Sequence, residues 1–329
     1  MAAARSGIGT RRQVSRRLIA GMVIGIALVT AAGIFGGLTL FGSRPSHTPH
    51  PRVLPMLRNL VPVPAAGEPI LTPMTYDGGQ VEVTPKVYLV FWGWSNSADP
   101  AATQMQQFVS AIGGTPWSGI NTQYYEQVNG QTVYITNPAK QLAGVWFDNV
   151  NTIHDNLSGN EIAAEALRGA QHFGISDFAD SNIVVAQPAN ANDVGFNTGQ
   201  YCAWHDWSTD GYTLPAGSPH FAFTSMPYVL NAGANCGKDF VNAAPGGDLD
   251  GVSIVLGHEI AEGVTDPGAG TSQNSGWLDL NGDENGDKCA WMSLGPGSAT
   301  DITGNDGRRY AVQGLWDNGA MLGLGYCRN

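Results

Sequence analysis

The residues best suited to chemistry lie in one segment, 246–291. His258 and Glu262 are four residues apart, and Glu259 follows the histidine. On a helix this spacing places His258 and Glu262 on one face, with Glu259 about a third of a turn away. Imidazole and carboxylate are zinc ligands, and a nearby carboxylate can activate a metal-bound water. The pattern predicts a His-Glu-x-x-Glu variant of the metallopeptidase motif, with Glu259 as catalytic base. The alternative is a helix whose acids face solvent or form salt bridges.

A zinc site usually needs a third protein ligand. Glu284 is the preferred candidate because gluzincin-type metallopeptidases take a third carboxylate from an element downstream of the motif helix. On a straight helix Asp266 would lie about 12 Å beyond His258, so only a chain break at Gly263 could bring it back. The sequence leaves four candidates open: Glu284, Asp287, Asp266 and His205.

The run from Asp279 to Asp287 offers a second kind of metal site. Acidic or amide side chains occupy alternate positions, and oxygen ligands at this spacing suit calcium. A regular EF-hand is excluded because Glu284 stands where the loop needs glycine and Ala290 where it needs a final glutamate. The hypotheses left are an irregular calcium site and a solvated turn.

The helix that must carry the motif is indicated by hydrophobic periodicity. Apolar residues recur at three- and four-residue spacing: Val252, Val255, Leu256 and Ile260. This spacing predicts a buried helix, with Gly263 and Pro267 as stop signals.

Other local signals define the surrounding elements. Asp99 and Pro100 predict a helix start, and Ser158 with Glu161 predicts a capping box that opens a second helix. Strands are predicted at 81–84, 86–94, 131–136, 145–148, 182–187 and 309–316. Because helices and strands alternate irregularly, we expect one α/β or α+β domain with a mixed sheet.

Composition bounds the class of protein. The chain has 329 residues, of which 43% are hydrophobic, so a large core can form. Its formal net charge is −11, and this acidity argues against nucleic acid as a partner. An even count of four cysteines predicts two disulfides, with three pairings open.

The N-terminal part differs from the rest of the chain. Residues 1–17 contain five arginines and no acid, and residues 18–41 contain no charge. This arrangement predicts a basic cytoplasmic segment followed by a transmembrane signal anchor, with a cleaved signal as the alternative. A Pro-rich linker at 42–78 would then lead to an outer domain at 79–329. The expected localisation is the cell membrane, single-pass with the domain outside, or secretion if the segment is cleaved.

Several short segments, taken in order, resemble the EXORDIUM-like, or phosphate-induced protein, family of plants and bacteria. They span roughly residues 80–329: Val87-Tyr-Leu-Val-Phe-Trp-Gly-Trp, Gln123-Tyr-Tyr, Cys202-Ala-Trp-His205, Asp248-Leu-Asp-Gly, His258-Glu-Ile-Ala-Glu262, Thr265-Asp-Pro, Trp277-Leu-Asp, Glu284-Asn-Gly-Asp-Lys-Cys289, Arg308-Arg-Tyr and Leu315-Trp-Asp.

The resemblance implies an extracellular or cell-wall-associated protein, and in plants a link to growth. It implies no established enzyme activity, but its His-Glu-x-x-Glu segment looks zincin-like, so we expect one zincin-like domain. The leading hypothesis is an extracytoplasmic zinc-dependent peptidase-like hydrolase acting on peptides. The alternative is a non-catalytic surface protein with a structural metal or salt-bridge site, in which Trp204 and Trp207 bind a cell-wall polymer.

Overall fold

The structure, a computed structural model, describes residues 52–57, 72–268 and 275–329, which all belong to one compact unit. Its strands are β1 (Arg52–Pro55), β2 (Thr75–Tyr76), β3 (Lys86–Trp92), β4 (Tyr125–Val128), β5 (Gln131–Tyr134), β6 (Leu142–Asp148), β7 (Ser181–Ala186), β8 (Tyr201–Trp207), β9 (Ala222–Met226), β10 (Trp277–Leu278), β11 (Thr300–Thr303), β12 (Arg309–Val312), β13 (Leu315–Asp317) and β14 (Tyr326–Arg328).

Five α-helices are described: α1 (Pro100–Ile112), α2 (Gly159–Phe173), α3 (Val194–Asn197), α4 (Asp250–Thr265) and α5 (Ala320–Gly323). Three 3₁₀ helices join them: Ser118–Gln123, Val229–Cys236 and Asp287–Cys289. The predicted helix starts are confirmed. The Asp99 carboxylate caps α1, and Ser158 and Glu161 form the reciprocal capping box of α2.

The main sheet has six strands in the order β1-β8-β9-β7-β3-β6. Strands β6, β3, β7 and β9 are parallel, whereas β8 and β1 join antiparallel at the other side. The prediction of a mixed α/β architecture is therefore confirmed. Strand β3 has a partner on each side, which agrees with its nearly continuous apolar sequence.

The two faces of the sheet contribute to two separate cores. In β3, Leu89 and Phe91 pack into the core that contains α1 and α4, whereas Val90 and Trp92 pack into the core that contains α2. The same alternation divides β7, because successive side chains of a strand point to opposite faces. The sheet thus lies between α2 on one face and α1 with α4 on the other.

Helix α4 has no exposed residue, because all sixteen of its residues are buried. A helix that is surrounded by protein needs close approach on every side. A Cβ at Gly257 would meet the Phe108 ring at 3.0 Å, and one at Gly263 would meet Asn182 Nδ2 at 2.5 Å. Gly263 therefore serves packing rather than termination, and the helix continues through it to Thr265.

Two predicted strands differ from the structure. Residues 81–84 form no strand, because the Glu82 N–H donates to the carbonyl of Val264 at the end of α4, and the Val83 carbonyl accepts from Thr136. The segment 309–316 is divided into β12 and β13, which pair with different partners, β11 and β14.

The N-terminal predictions have mixed outcomes. Within the segment predicted to be a linker, residues 52–55 form β1, the edge strand that pairs with β8. Among the described residues, no helix has the length and apolar character needed to cross a bilayer. This finding overturns the predicted single-pass membrane localisation, which we do not retain. The basic segment 1–17 and the segment 18–41, on which that localisation depended, lie outside the described residues.

Two disulfides are present, as predicted, and the structure supplies the pairing that the sequence left open. Cys202 in β8 is bonded to Cys236, and Cys289 is bonded to Cys327 in β14. Each bridge lies within a few residues of a candidate ligand, since Cys202 precedes His205 and Cys289 follows Asp287.

Replacing both Cys289 and Cys327 with serine should lower the free energy of unfolding by about 3 to 4 kcal/mol, because the unfolded chain regains the entropy of the released loop. Urea unfolding monitored by circular dichroism measures the loss, and reduced wild type should lose more. Peptide mapping of the non-reduced protein should recover the pairs Cys202–Cys236 and Cys289–Cys327. Free thiols at all four positions would contradict the assignment.

Candidate metal centre

Three parts of the fold meet at the buried motif. Helix α4 supplies His258, Glu259 and Glu262, strand β8 supplies His205, and the segment 284–287 supplies Glu284. That segment also carries Asp287, the first residue of the last 3₁₀ helix, and is held from outside the motif. The Asn285 side-chain amide donates to Asn121 Oδ1 at 2.8 Å, and the Asn285 backbone carbonyl accepts from the Trp316 backbone N–H at 3.0 Å.

The first group of candidate ligands comprises His258, Glu262 and Asp287, whose ligand atoms all lie within 4.8 Å of one another. His258 Nε2 is 2.9 Å from Glu262 Oε2 and 3.9 Å from Asp287 Oδ1. The Asp287 backbone N–H donates to Glu262 Oε1 at 2.7 Å, which orients the carboxylate. Two motif residues thus face one downstream acid, and that acid is Asp287.

The second group comprises His205, Glu262 and Glu284, again within 4.8 Å. His205 Nε2 lies 3.4 Å from Glu284 Oε1 and 3.3 Å from the Asp266 carbonyl oxygen. Its Nδ1 lies 3.0 Å from Glu259 Oε2 and 3.8 Å from Glu262 Oε2. Glu284, the preferred third ligand, therefore faces His205 rather than His258.

Two other predicted candidates, Asp266 and the calcium loop that begins at Asp279, do not join these groups. Asp266 caps the end of α4, and its Oδ1 accepts from the Gly276 N–H at 2.8 Å. Because α4 is unbroken at Gly263, the chain cannot fold Asp266 back toward His258. In the predicted calcium loop, the Asp279 carboxylate accepts from Lys288 Nζ at 2.6 Å and from two backbone N–H groups. An ammonium group already neutralises the first position of that loop.

The only basic side chains that face the acids of the cluster, among the described residues, are the two histidines. Among the described residues, no lysine or arginine forms an ion pair with Glu259, Glu262, Glu284 or Asp287. Glu259 and Glu284 are fully buried, and Glu262 is 1% exposed. Burying an unpaired carboxylate costs several kcal/mol after relaxation, so this arrangement requires either protons or a cation.

The pKa shifts follow from this crowding. Burial, reinforced by the neighbouring Glu284, raises the pKa of Glu262 well above its usual range. Burial and the charge of Glu262 do the same to the pKa of Asp287. For His205, burial lowers the pKa, but the nearby Glu284 and Glu259 outweigh it and the net pKa is raised.

Several atoms of the cluster have no hydrogen-bond partner among the described residues. They are both ring nitrogens of His258, both carboxylate oxygens of Glu284 and Oε1 of Glu259. Buried polar atoms of this kind are rare in native proteins, and a bound ion is one common way in which they are satisfied. His258 Nε2 and Glu262 Oε2 lie 2.9 Å apart without hydrogen-bond geometry.

Sequence reasoning missed Glu82. Its carboxylate is 1% exposed and makes no hydrogen bond to any described residue. Burial, together with Asp180, raises its pKa well above the usual range, and the charge of His205 partly opposes the shift. Glu82 lies between Val81 and Val83, an alternation that predicts a solvent-facing strand residue and so conceals it.

The prediction that Trp204 and Trp207 form an exposed aromatic surface for a polymer is wrong. Trp204 is 2% exposed and Trp207 is 4% exposed. Trp204 packs against Phe223, and its indole N–H donates to Asp193 at 3.1 Å. Both tryptophans lie in β8, where side chains on either face are covered, so neither can stack on an external polymer.

A large cavity lies outside the metal-ligand groups. It has a volume of about 710 Å³ and is lined by residues around the N-terminal end of α4, among them Asp248, Asp250, Asp301 and Arg309. None of its lining residues belongs to the metal-ligand groups, which lie toward the other end of the helix.

Comparison with known proteins supplies no further identification, since no family model, curated protein or solved structure matches the chain significantly. The resemblance to the EXORDIUM-like family therefore stays a prediction.

Replacing Gly286 with alanine should disturb the cluster directly. Its backbone angles, φ −78° and ψ −45°, suit any residue, so the effect is steric. The new Cβ would lie 2.7 Å from Glu262 Oε1 and 2.9 Å from His258 Nδ1. We expect a loss of about 1–3 kcal/mol in unfolding free energy, measured by urea unfolding.

Gly319→Ala is the matched control, because the nearest heavy atom to its added Cβ would be 3.4 Å away, an ordinary contact. Its unfolding midpoint should stay close to that of the wild type. Equal stability of Gly286→Ala and Gly319→Ala would show that the 284–287 segment does not pack tightly on the motif.

Proposed function

We propose that this protein is a metal-binding protein whose buried centre holds a divalent ion, with zinc preferred. The observation that carries the proposal is a set of buried ligand atoms on His258, Glu259 and Glu284 that make no hydrogen bond to a described residue. No described lysine or arginine pairs with the acids of this region. A divalent cation would satisfy these atoms and offset the charge at once.

The donor set supports this choice of ion. His258, Glu262 and Asp287 offer one nitrogen and two carboxylates, all of them ligand types that zinc accepts. Glu262 is already oriented by the Asp287 N–H, the kind of outer contact that fixes a ligand for its ion. Calcium stays a weaker prediction, because Asp279 is engaged by Lys288 and calcium prefers more oxygen ligands.

The extent of burial favours a structural role for the ion over a catalytic one. A catalytic zinc keeps one position open to water and substrate, whereas a structural zinc is closed by protein. His258 and Glu259 are fully buried. The two disulfides also stabilise the fold, and such bridges persist in oxidising compartments.

Metal analysis of the purified full-length chain should find zinc, and His258→Ala should lose it. His154→Ala is the control, because this histidine is exposed and pairs with Glu161 outside the cluster. Removing the ion with a chelator should lower stability, by about 2.7 kcal/mol if zinc had been present at one hundred times its dissociation constant. A wild-type protein that binds no divalent ion would refute the proposal.

A zinc-dependent peptidase-like hydrolase is the second candidate. Two observations favour it: Glu259 Oε1 makes no hydrogen bond to a described residue, and 18% of the Asp287 side chain is exposed. The ion would supply Lewis-acid polarisation of a carbonyl. Glu259 would accept a proton from the attacking water and return it to the leaving nitrogen, so that water is added across the C–N bond to give an acid and an amine.

On this second candidate, Glu259→Gln should abolish peptide hydrolysis while zinc stays bound, because the amide keeps the shape but cannot accept the proton. The expected loss is at least about 100-fold. Glu126→Gln, outside the cluster, is the control. Cleavage is measured on a mixed peptide pool by mass spectrometry. Absence of cleavage by zinc-loaded wild type favours the structural role, and unchanged cleavage by Glu259→Gln excludes Glu259 as the base.

A further inference from the structure

Glu262 belongs to both ligand groups. The first group joins it to His258 and Asp287, and the second joins it to His205 and Glu284. Each group therefore contains one histidine, one carboxylate of its own and the shared carboxylate. Together the two groups provide more ligand residues than one ion needs.

The shared carboxylate is oriented for two neighbours. Its Oε2 lies 2.9 Å from His258 Nε2 and 3.8 Å from His205 Nδ1, so the same oxygen is near both imidazole rings. On the His205 ring the nearer nitrogen is the one that Glu259 Oε2 contacts, and an ion would lie toward the Nε2 side, beside Glu284. Glu262 Oε1 accepts a hydrogen bond from the Asp287 backbone N–H, which fixes the orientation of the carboxylate. A carboxylate oxygen placed between two ligand sets has the disposition of a metal bridge.

The unpartnered atoms are distributed over both groups. Both ring nitrogens of His258 are unpartnered in the first, and both oxygens of Glu284 are unpartnered in the second, among the residues that the structure describes. Both side chains are fully buried. One ion beside His258 would leave the buried Glu284 carboxylate with His205 Nε2, at 3.4 Å, as its counterpart and without a hydrogen bond to a described residue, which burial makes unfavourable.

The second histidine has its own orienting carboxylate. His205 Nδ1 lies 3.0 Å from Glu259 Oε2, and its Nε2 lies 3.4 Å from Glu284 Oε1 and 3.3 Å from the Asp266 carbonyl oxygen. Metal-binding histidines usually direct one ring nitrogen to a carboxylate or carbonyl, which fixes the ring. The competing arrangement is an imidazolium at His205 that neutralises Glu284 without a second ion.

We propose that the cluster is a dinuclear centre, in which two first-row divalent ions share Glu262 as a bridging ligand. His258 and Asp287 complete one ion, and His205 and Glu284 complete the other. Paired ions of this kind lie about 3.5–4 Å apart. The inference rests on the proposed metal binding and adds to it the number of ions and the role of His205.

The number of ions bound by the full-length chain tests this inference. Titration with Zn²⁺ followed by metal analysis should give two ions for wild type, one for Glu284→Gln and one for Asp287→Asn. Glu165→Gln is the matched control, because Glu165 is equally buried but pairs with Arg168 outside the cluster. It should still bind two.

A second readout uses Mn²⁺, and its wild-type measurement needs no variant. Electron paramagnetic resonance of the wild type loaded with Mn²⁺ should show an exchange-coupled pair, whereas Glu284→Gln should show an isolated ion. One bound ion, unaffected by Glu284→Gln, would overturn the dinuclear inference and leave the proposed metal binding intact. Two uncoupled ions would overturn the bridge, and no bound ion would overturn both proposals.

Discussion

Burial of charge on a helix without an exposed face is the constraint on which this structure depends. Helix α4 could present His258, Glu259 and Glu262 to solvent if it lay at the surface, but all of its residues are buried. The charge of these three side chains must therefore be compensated inside the core by groups on neighbouring elements. That requirement explains why β8 and the 284–287 segment both direct ligand-type side chains at one short stretch of α4.

Close packing and the disulfides hold the elements that carry these ligand-type side chains against α4. Glycines at 257, 263 and 286 permit contacts that a Cβ would block, so the neighbouring elements approach α4 closely. The two disulfides fasten the segments that carry His205 and Asp287. Each bridge closes its own loop, with a sequence separation of 34 for Cys202–Cys236 and 38 for Cys289–Cys327, and so lowers the conformational entropy of the unfolded chain.

The elements that sequence analysis predicts well are those governed by local interactions. The caps at Asp99 and Ser158 and the apolar strand at β3 each depend on residues within a few positions. The failures have non-local causes. The alternation around Glu82 favours a strand, whereas its N–H is bound by the end of α4. Gly263 has the local character of a helix stop, but its contact with Asn182 comes from a distant strand.

The sequence by itself determined that His258, Glu259 and Glu262 share a buried helix, since helical periodicity relates residues three and four apart. It also determined that four cysteines could form two bridges, and that the protein would have a mixed α/β fold. Only the tertiary structure decided that Asp287 joins His258, that Glu284 joins His205, and that Trp204 is core rather than surface. Those outcomes depend on strand order and on the path of a long turn, which no local pattern encodes.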